Sequence, residues 1–235
     1  MYMQGDVDAQ AFSAELAELK RGGCTLLVAS DAPGHGTACE RLLGAPELDR
    51  SHVFLSTAVD VPTILTRHRP RRTDPGSFAV VDATSDTRST TTTTSAAPTG
   101  PTATTEWYER APDHLDLEAV YTTTKAAIDR VAADADGPGE LRVCLDRLDT
   151  YIDATTAGTI AETELFRFLH LLCGAIRRVD GMGHVHVSAS ADDDVLGTIE
   201  PLFDATVEIE TTAGQHARQR WHLHSSGRET GWFQL

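Results

Sequence analysis

The stretch Cys24-Thr25-Leu26-Leu27-Val28-Ala29 sets the terms for the whole chain, because it is apolar almost without a break. Continuous apolarity, in place of alternation, predicts a strand buried on both faces, as in a parallel sheet covered by helices. Residues 77–82 repeat the pattern, and further strands are expected at 52–56, 141–145 and 184–189. Between them lie stretches that read as helices at 9–20, 38–43, 60–67, 116–133 and 162–179. Gly22-Gly23, Asp136-Gly137-Pro138-Gly139 and Asp180-Gly181 close three of these helices, and Pro62 suits a first helical turn. Residues 205–210 and 220–224 alternate instead, with a turn at 211–215 between them, which is the pattern of antiparallel strands. The expectation is an α/β fold, a three-layer sandwich around a mainly parallel central sheet with antiparallel strands at the C-terminal end. A length of 235 residues suits a single domain, 1–235, with a sizeable core.

Residues 84–105 depart from this rhythm. Thr, Ser, Ala and Pro dominate them, with Thr90 to Thr94 in a row, and they carry too little apolar surface to offset the entropy of ordering. A flexible inserted loop is expected there. The opening residues carry acids and lack the basic-then-apolar plan of a secretion signal, and no apolar run reaches membrane-spanning length, so a cytoplasmic location is expected.

The formal net charge is −15, and all but Lys20 and Lys125 of the 20 basic residues are arginine. Dense carboxylates, few lysines and many Thr and Ala residues resemble proteins of salt-loving archaea, where molar salt screens the self-repulsion. An ordinary acidic protein is the alternative. Either way no nucleic-acid partner is expected, since binding by charge needs a basic surface. The short run Arg67-His68-Arg69-Pro70-Arg71-Arg72 reads as a solvated loop beside a turn. Cys24, Cys39, Cys144 and Cys173 sit singly, with no CxxC pair, which predicts buried free thiols and supports neither a zinc ribbon nor a redox motif.

Chemistry is most legible after the first strand. A buried strand, the Gly-rich segment Asp31-Ala32-Pro33-Gly34-His35-Gly36-Thr37-Ala38 and then a helix form the context of a phosphate-binding loop. The segment resembles the Walker A loop of the RecA superfamily, most closely its KaiC-like branch. The resemblance extends over nearly the whole chain: 77–82 looks like that family's third strand, and Leu141-Arg142-Val143-Cys144-Leu145-Asp146 like the Walker B strand. Residues 164–168 resemble the start of the following helix, 187–190 the end of the next strand, and the tail with Arg218-Gln219-Arg220 the terminal strands. It implies a nucleotide at Gly34, His35, Gly36, Thr37 and Ala38, with Asp146 on the metal.

The departures from that pattern decide the functional expectation. Thr37 stands where the phosphate-binding lysine belongs, Ala38 where the magnesium-binding hydroxyl belongs, and Asp31 replaces the first glycine. Ser56-Thr57-Ala58 stands in place of a catalytic glutamate pair. Phosphoryl transfer is mostly positioning and charge neutralisation, so these losses remove its basis. A helix N-terminus can still accept an anion weakly; the alternative is that the glycines serve only the turn. Asp146 and Asp149, flanking Arg147, read either as a former metal site or as an ion pair or helix cap. His184/His186 and His222/His224 each alternate on a strand and point to one side. Neighbouring strands would unite them as a transition-metal site; otherwise they are hydrogen-bonding residues. No Ser-His-Asp or Cys-His arrangement has supporting local context.

The resulting expectation is a catalytically inactive RecA/KaiC-like regulatory or scaffold protein, with no cofactor, ATP and Mg²⁺ being the alternative. Its partners would be proteins, either an active KaiC-like relative or signalling proteins. With the intersubunit nucleotide lost, a monomer or homodimer is expected over a hexamer. The competing reading is an atypical ATP-binding KaiC-like ATPase.

Overall fold

The computed structural model describes residues 3–29, 32–45, 47–68, 75–85, 106–211 and 216–235. Among the described residues ten strands form one sheet: β1 (Gly23–Ala29), β2 (Ser51–Ser56), β3 (Phe78–Asp82), β4 (Tyr108–Arg110), β5 (Leu141–Leu145), β6 (Met182–Ser188), β7 (Ala205–Glu210), β8 (Arg218–Leu223), β9 (Arg228–Glu229) and β10 (Phe233–Gln234). The order across the sheet is β10-β8-β7-β1-β6-β5-β2-β3-β4, with β9 paired to β8. Every pair from β7 to β4 is parallel, whereas β8, β9 and β10 pair antiparallel. The chain is therefore α/β with a mostly parallel central sheet and an antiparallel end.

Among the described residues, seven α-helices accompany the strands: α1 (Met3–Leu19), α2 (Ala32–Leu43), α3 (Val61–His68), α4 (Leu117–Ala132), α5 (Asp149–Thr156), α6 (Glu162–Arg178) and α7 (Asp193–Ile199). Local chemistry starts several of them. Asp116 accepts from the amides of Glu118 and Ala119 at the head of α4, and Asp192 does the same for Asp194 and Val195 at α7. Glu164 reaches back to the Ala161 amide at 2.9 Å to cap α6.

Strand alternation divides the core into two faces. One is continuous: Leu26, Val53, Leu55, Val81, Val143, Leu145, Val185 and Val187 meet α4, α5 and α6 in a single apolar cluster. Helix α6 presses so closely that a Cβ on Gly183 would lie 2.6 Å from the Ile176 Cδ1. The other face, under α1, α2 and α3, holds two separate clusters, one around Leu27, Ala38 and Trp221 and one around Phe54, Phe78 and Cys144. Between them run the inward side chains of β6, which here are His184 and His186, both buried.

Several sequence expectations need correction. Helix α2 begins at Ala32, so Gly34, His35, Gly36 and Thr37 lie within a helix and not in a loop before residue 38. Ala38 and Cys39 are buried against the sheet, and burial of that face carries the helix back through the glycines. The short elements β4, α5, α7, β9 and β10 were not expected, because each has too few apolar residues to show a period. Strands β6 and β8 are separated by β1 and β7, so the two histidine pairs are not neighbours. Asp31, the basic residues 69–72, the threonine-rich residues 86–105 and the turn 212–215 lie outside the described residues. No helix among the described residues is long and apolar enough to cross a membrane.

Candidate functional site

Parallel strands gather their loops at the C-terminal edge of the sheet, where α/β proteins bind ligands. At that edge β6 alone separates β1, which leads into α2, from β5, which ends at Asp146. A cavity of about 240 Å³ opens there, bordered by His35, Cys39, Cys144, Asp146, His186 and Ser188 among others.

Asp146 is fully engaged. One carboxylate oxygen accepts from the Thr57 amide at 2.7 Å and its hydroxyl at 2.8 Å; the other accepts from the Val59 amide at 2.6 Å and the Ala58 amide at 3.3 Å. It thereby holds the turn between β2 and α3. Asp149 in turn accepts from the Ser188 amide at 3.1 Å. The two acids flanking Arg147 therefore bind backbone, joining β5 to the strands on either side.

The remaining residues of the glycine segment divide by face. Thr37 is exposed, whereas Ala38 packs with Leu27, Ala29 and Leu42. Gly36 sits in helix, and a Cβ there would meet nothing within 4 Å, so neither a turn nor crowding demands glycine at that position. His35 points inward, its Nδ1 2.9 Å from the His186 Nδ1 and its Nε2 3.4 Å from the Ala29 carbonyl. Burial, with His186 alongside, lowers the His35 pKa to about 4.

Beneath His35, four soft donors converge that the sequence does not group. Cys144 and His184 are register partners on adjacent strands, and Cys39 comes down from α2. The Cys39 Sγ lies 3.7 Å from the Cys144 Sγ and 3.2 Å from the His184 Nε2. The donor atoms of Cys39, Cys144, His184 and His186 all lie within 4.8 Å of one another, and all four residues are buried. The Cys144 thiol and the two histidines draw the Cys39 thiol well below its ordinary pKa, against the opposing pull of burial, while burial pushes Cys144 well above it. Burial also lowers the pKa of His184, with the Cys39 thiol opposing it. Its Nδ1, and the hydroxyl of its register partner Thr25, are buried with no hydrogen-bond partner. The available sequence signals were His35-x₃-Cys39, one turn apart on a helix, and His184-x-His186 on a strand.

The chain belongs to a family of unknown function, DUF7504, whose model matches residues 23–209. No curated protein matches the chain significantly.

Proposed function

We propose that this DUF7504 protein is a catalytically inactive RecA/KaiC-like regulatory or scaffold module that works through protein contacts. The observation that carries the reading is the engagement of Asp146. In a P-loop enzyme the corresponding aspartate must be free to hold the magnesium ion; here its oxygens accept from three backbone amides and the Thr57 hydroxyl. The rest of the machinery agrees with this. The position of the metal-binding hydroxyl is Ala38, a core residue. Lys125 is paired with Asp129 on α4, and Lys20 lies near Gly139, before the N-terminal end of β5.

Calorimetry of ATP with Mg²⁺ in molar KCl tests the reading. No heat of binding at millimolar ATP is expected, and micromolar affinity would overturn it. A second reading, atypical nucleotide binding, is favoured by Arg67 and Arg147, which border the cavity and supply positive charge; the same titration decides between the two. Asp146→Ala separates an anchor from a ligand by another route. Stranding the buried amides of the β2–α3 turn is expected to cost about 3 kcal/mol in urea denaturation. A variant as stable as the parent would mean that the carboxylate is held there for chemistry.

A further inference from the structure

We infer that Cys39, Cys144, His184 and His186 form a four-coordinate site for a soft transition-metal ion, with zinc the ion that the donor set fits. The inference is independent of whether nucleotide binds above it. Two thiolates at about 2.3 Å from a shared tetrahedral ion lie about 3.8 Å apart, and a thiolate and an imidazole about 3.6 Å. The sulfurs here are 3.7 Å apart, and Cys39 is 3.2 Å from the His184 nitrogen. The side chains thus stand near the separations an ion would impose. Thiolate with imidazole selects zinc or cuprous copper over magnesium or calcium.

The hydrogen bonds prepare His186 as a ligand. His35 faces the Ala29 carbonyl with its Nε2, so that nitrogen carries a proton, and in the neutral ring the Nδ1 is a bare acceptor. The His186 Nδ1, 2.9 Å away, must then be the donor, which leaves the lone pair of its Nε2 for a metal. An outer partner fixing the tautomer of a ligating histidine is the usual arrangement at such centres.

The alternative, a histidine used as ordinary core, is a poor account of His184. It is 1% exposed, bonded only to a thiol, and its other nitrogen has no partner. A buried polar ring so poorly satisfied costs free energy that a leucine would not. A Cys–His nucleophilic pair would leave Cys144 and His186 unexplained. The cavity above supplies an entry path. A closed set of four protein ligands is the structural kind, and here it would pin α2 to β5 and β6.

The test uses the whole chain, prepared anaerobically with reductant, its metal content measured, then stripped and loaded with Co²⁺. One equivalent of metal is expected, and the cobalt form should show thiolate-to-cobalt charge-transfer bands with the intense visible bands of a tetrahedral centre. Cys39→Ser and His186→Ala should abolish that spectrum. His35→Ala should keep it while weakening cobalt affinity about 10–100-fold. His222→Ala should change nothing. Where a ligand variant does not fold, the parent chain still decides: zinc should protect Cys39 and Cys144 from alkylation, read residue by residue by mass spectrometry. An octahedral spectrum without sulfur, bands that survive Cys39→Ser, alkylation indifferent to zinc, or a Cys39–Cys144 disulfide in the anaerobic protein would each overturn the site.

Discussion

Two His-x-His pairs in this chain share one local geometry and meet opposite fates. On β6 the rings of His184 and His186 lie 5.1 Å apart at 67°; His222 and His224, beginning on β8, lie 4.9 Å apart at 64°. Strand alternation accounts for both pairs. What differs is what packs on them. Helix α2 lowers Cys39 and His35 onto the first pair, and β5 brings Cys144 alongside, so four soft donors are buried together. The second pair stays half-buried and with Glu200 brings three potential donors within 4.8 Å, but His224 is conventionally bonded: its Nδ1 meets the Phe203 carbonyl at 2.8 Å and its Nε2 the Thr206 hydroxyl at 3.0 Å. The first pair thus gathers four buried donors, whereas the second gathers three half-buried ones, of which His224 already has both ring nitrogens bonded.

The largest expected effect should separate the two pairs outright. Zinc at a thousand times its Kd stabilises a protein by about 4 kcal/mol. For a chain of this size that is a rise in Tm of roughly 8–16 °C. Reduced, stripped protein should show this by calorimetry, and the double variant His222→Ala/His224→Ala should rise equally. A rise lost in that variant would reverse the assignment.

A third strand histidine, His52 on β2, sharpens the comparison, since among the described residues it belongs to neither donor group. Burial lowers its pKa to about 4, with His68, Arg142 and Arg50 opposing protonation and the Leu43 carbonyl favouring it. The folded value lies below the unfolded one, so the unfolded chain takes up the proton first. Its contribution is fully present above about pH 6.5 and is lost as pH falls toward 4, on the order of 3 kcal/mol. Urea titrations across that range should show the parent losing more stability than His52→Phe. Equal slopes would place the acid sensitivity elsewhere.

Smaller effects test the members of each pair. His224→Ala removes two hydrogen bonds and should cost about 1–2 kcal/mol in the same assay. His184→Leu should cost the metal-free protein less than about 1 kcal/mol, or stabilise it, because an apolar side chain replaces a buried ring whose one bond is to a thiol and whose Nδ1 has no partner. A large loss in the metal-free state would mean that His184 is ordinary architecture.

The legible parts of this molecule were those where one short segment carries its own signal. β1 and β3 were expected at nearly their observed limits because a nearly unbroken apolar run admits few alternatives. β4, only Tyr108–Arg110, and α5, whose inward residues are Tyr151 and Ile152, are held by neighbours and not by periodicity. The glycine segment misled for a related reason. Pro33, Gly34 and Gly36 are turn-formers by local preference, yet the burial of Ala38, Cys39, Leu42 and Leu43 extends one helix through them. Cys39 and Cys144 stand 105 positions apart, and nothing in either segment announces the other.

By itself the sequence determined an α/β chain with a parallel core and an antiparallel end, and it placed in the segment after the first strand neither a lysine nor, at position 38, a hydroxyl for phosphate chemistry. Periodicity and side-chain identity are local properties, so they can be read from the chain alone. Only the tertiary structure decided that Asp146 would hold a turn, and that Cys39, Cys144, His184 and His186 would share one buried point. Convergence depends on strand order and on which helix covers which face, and both are settled by burying the whole core at once.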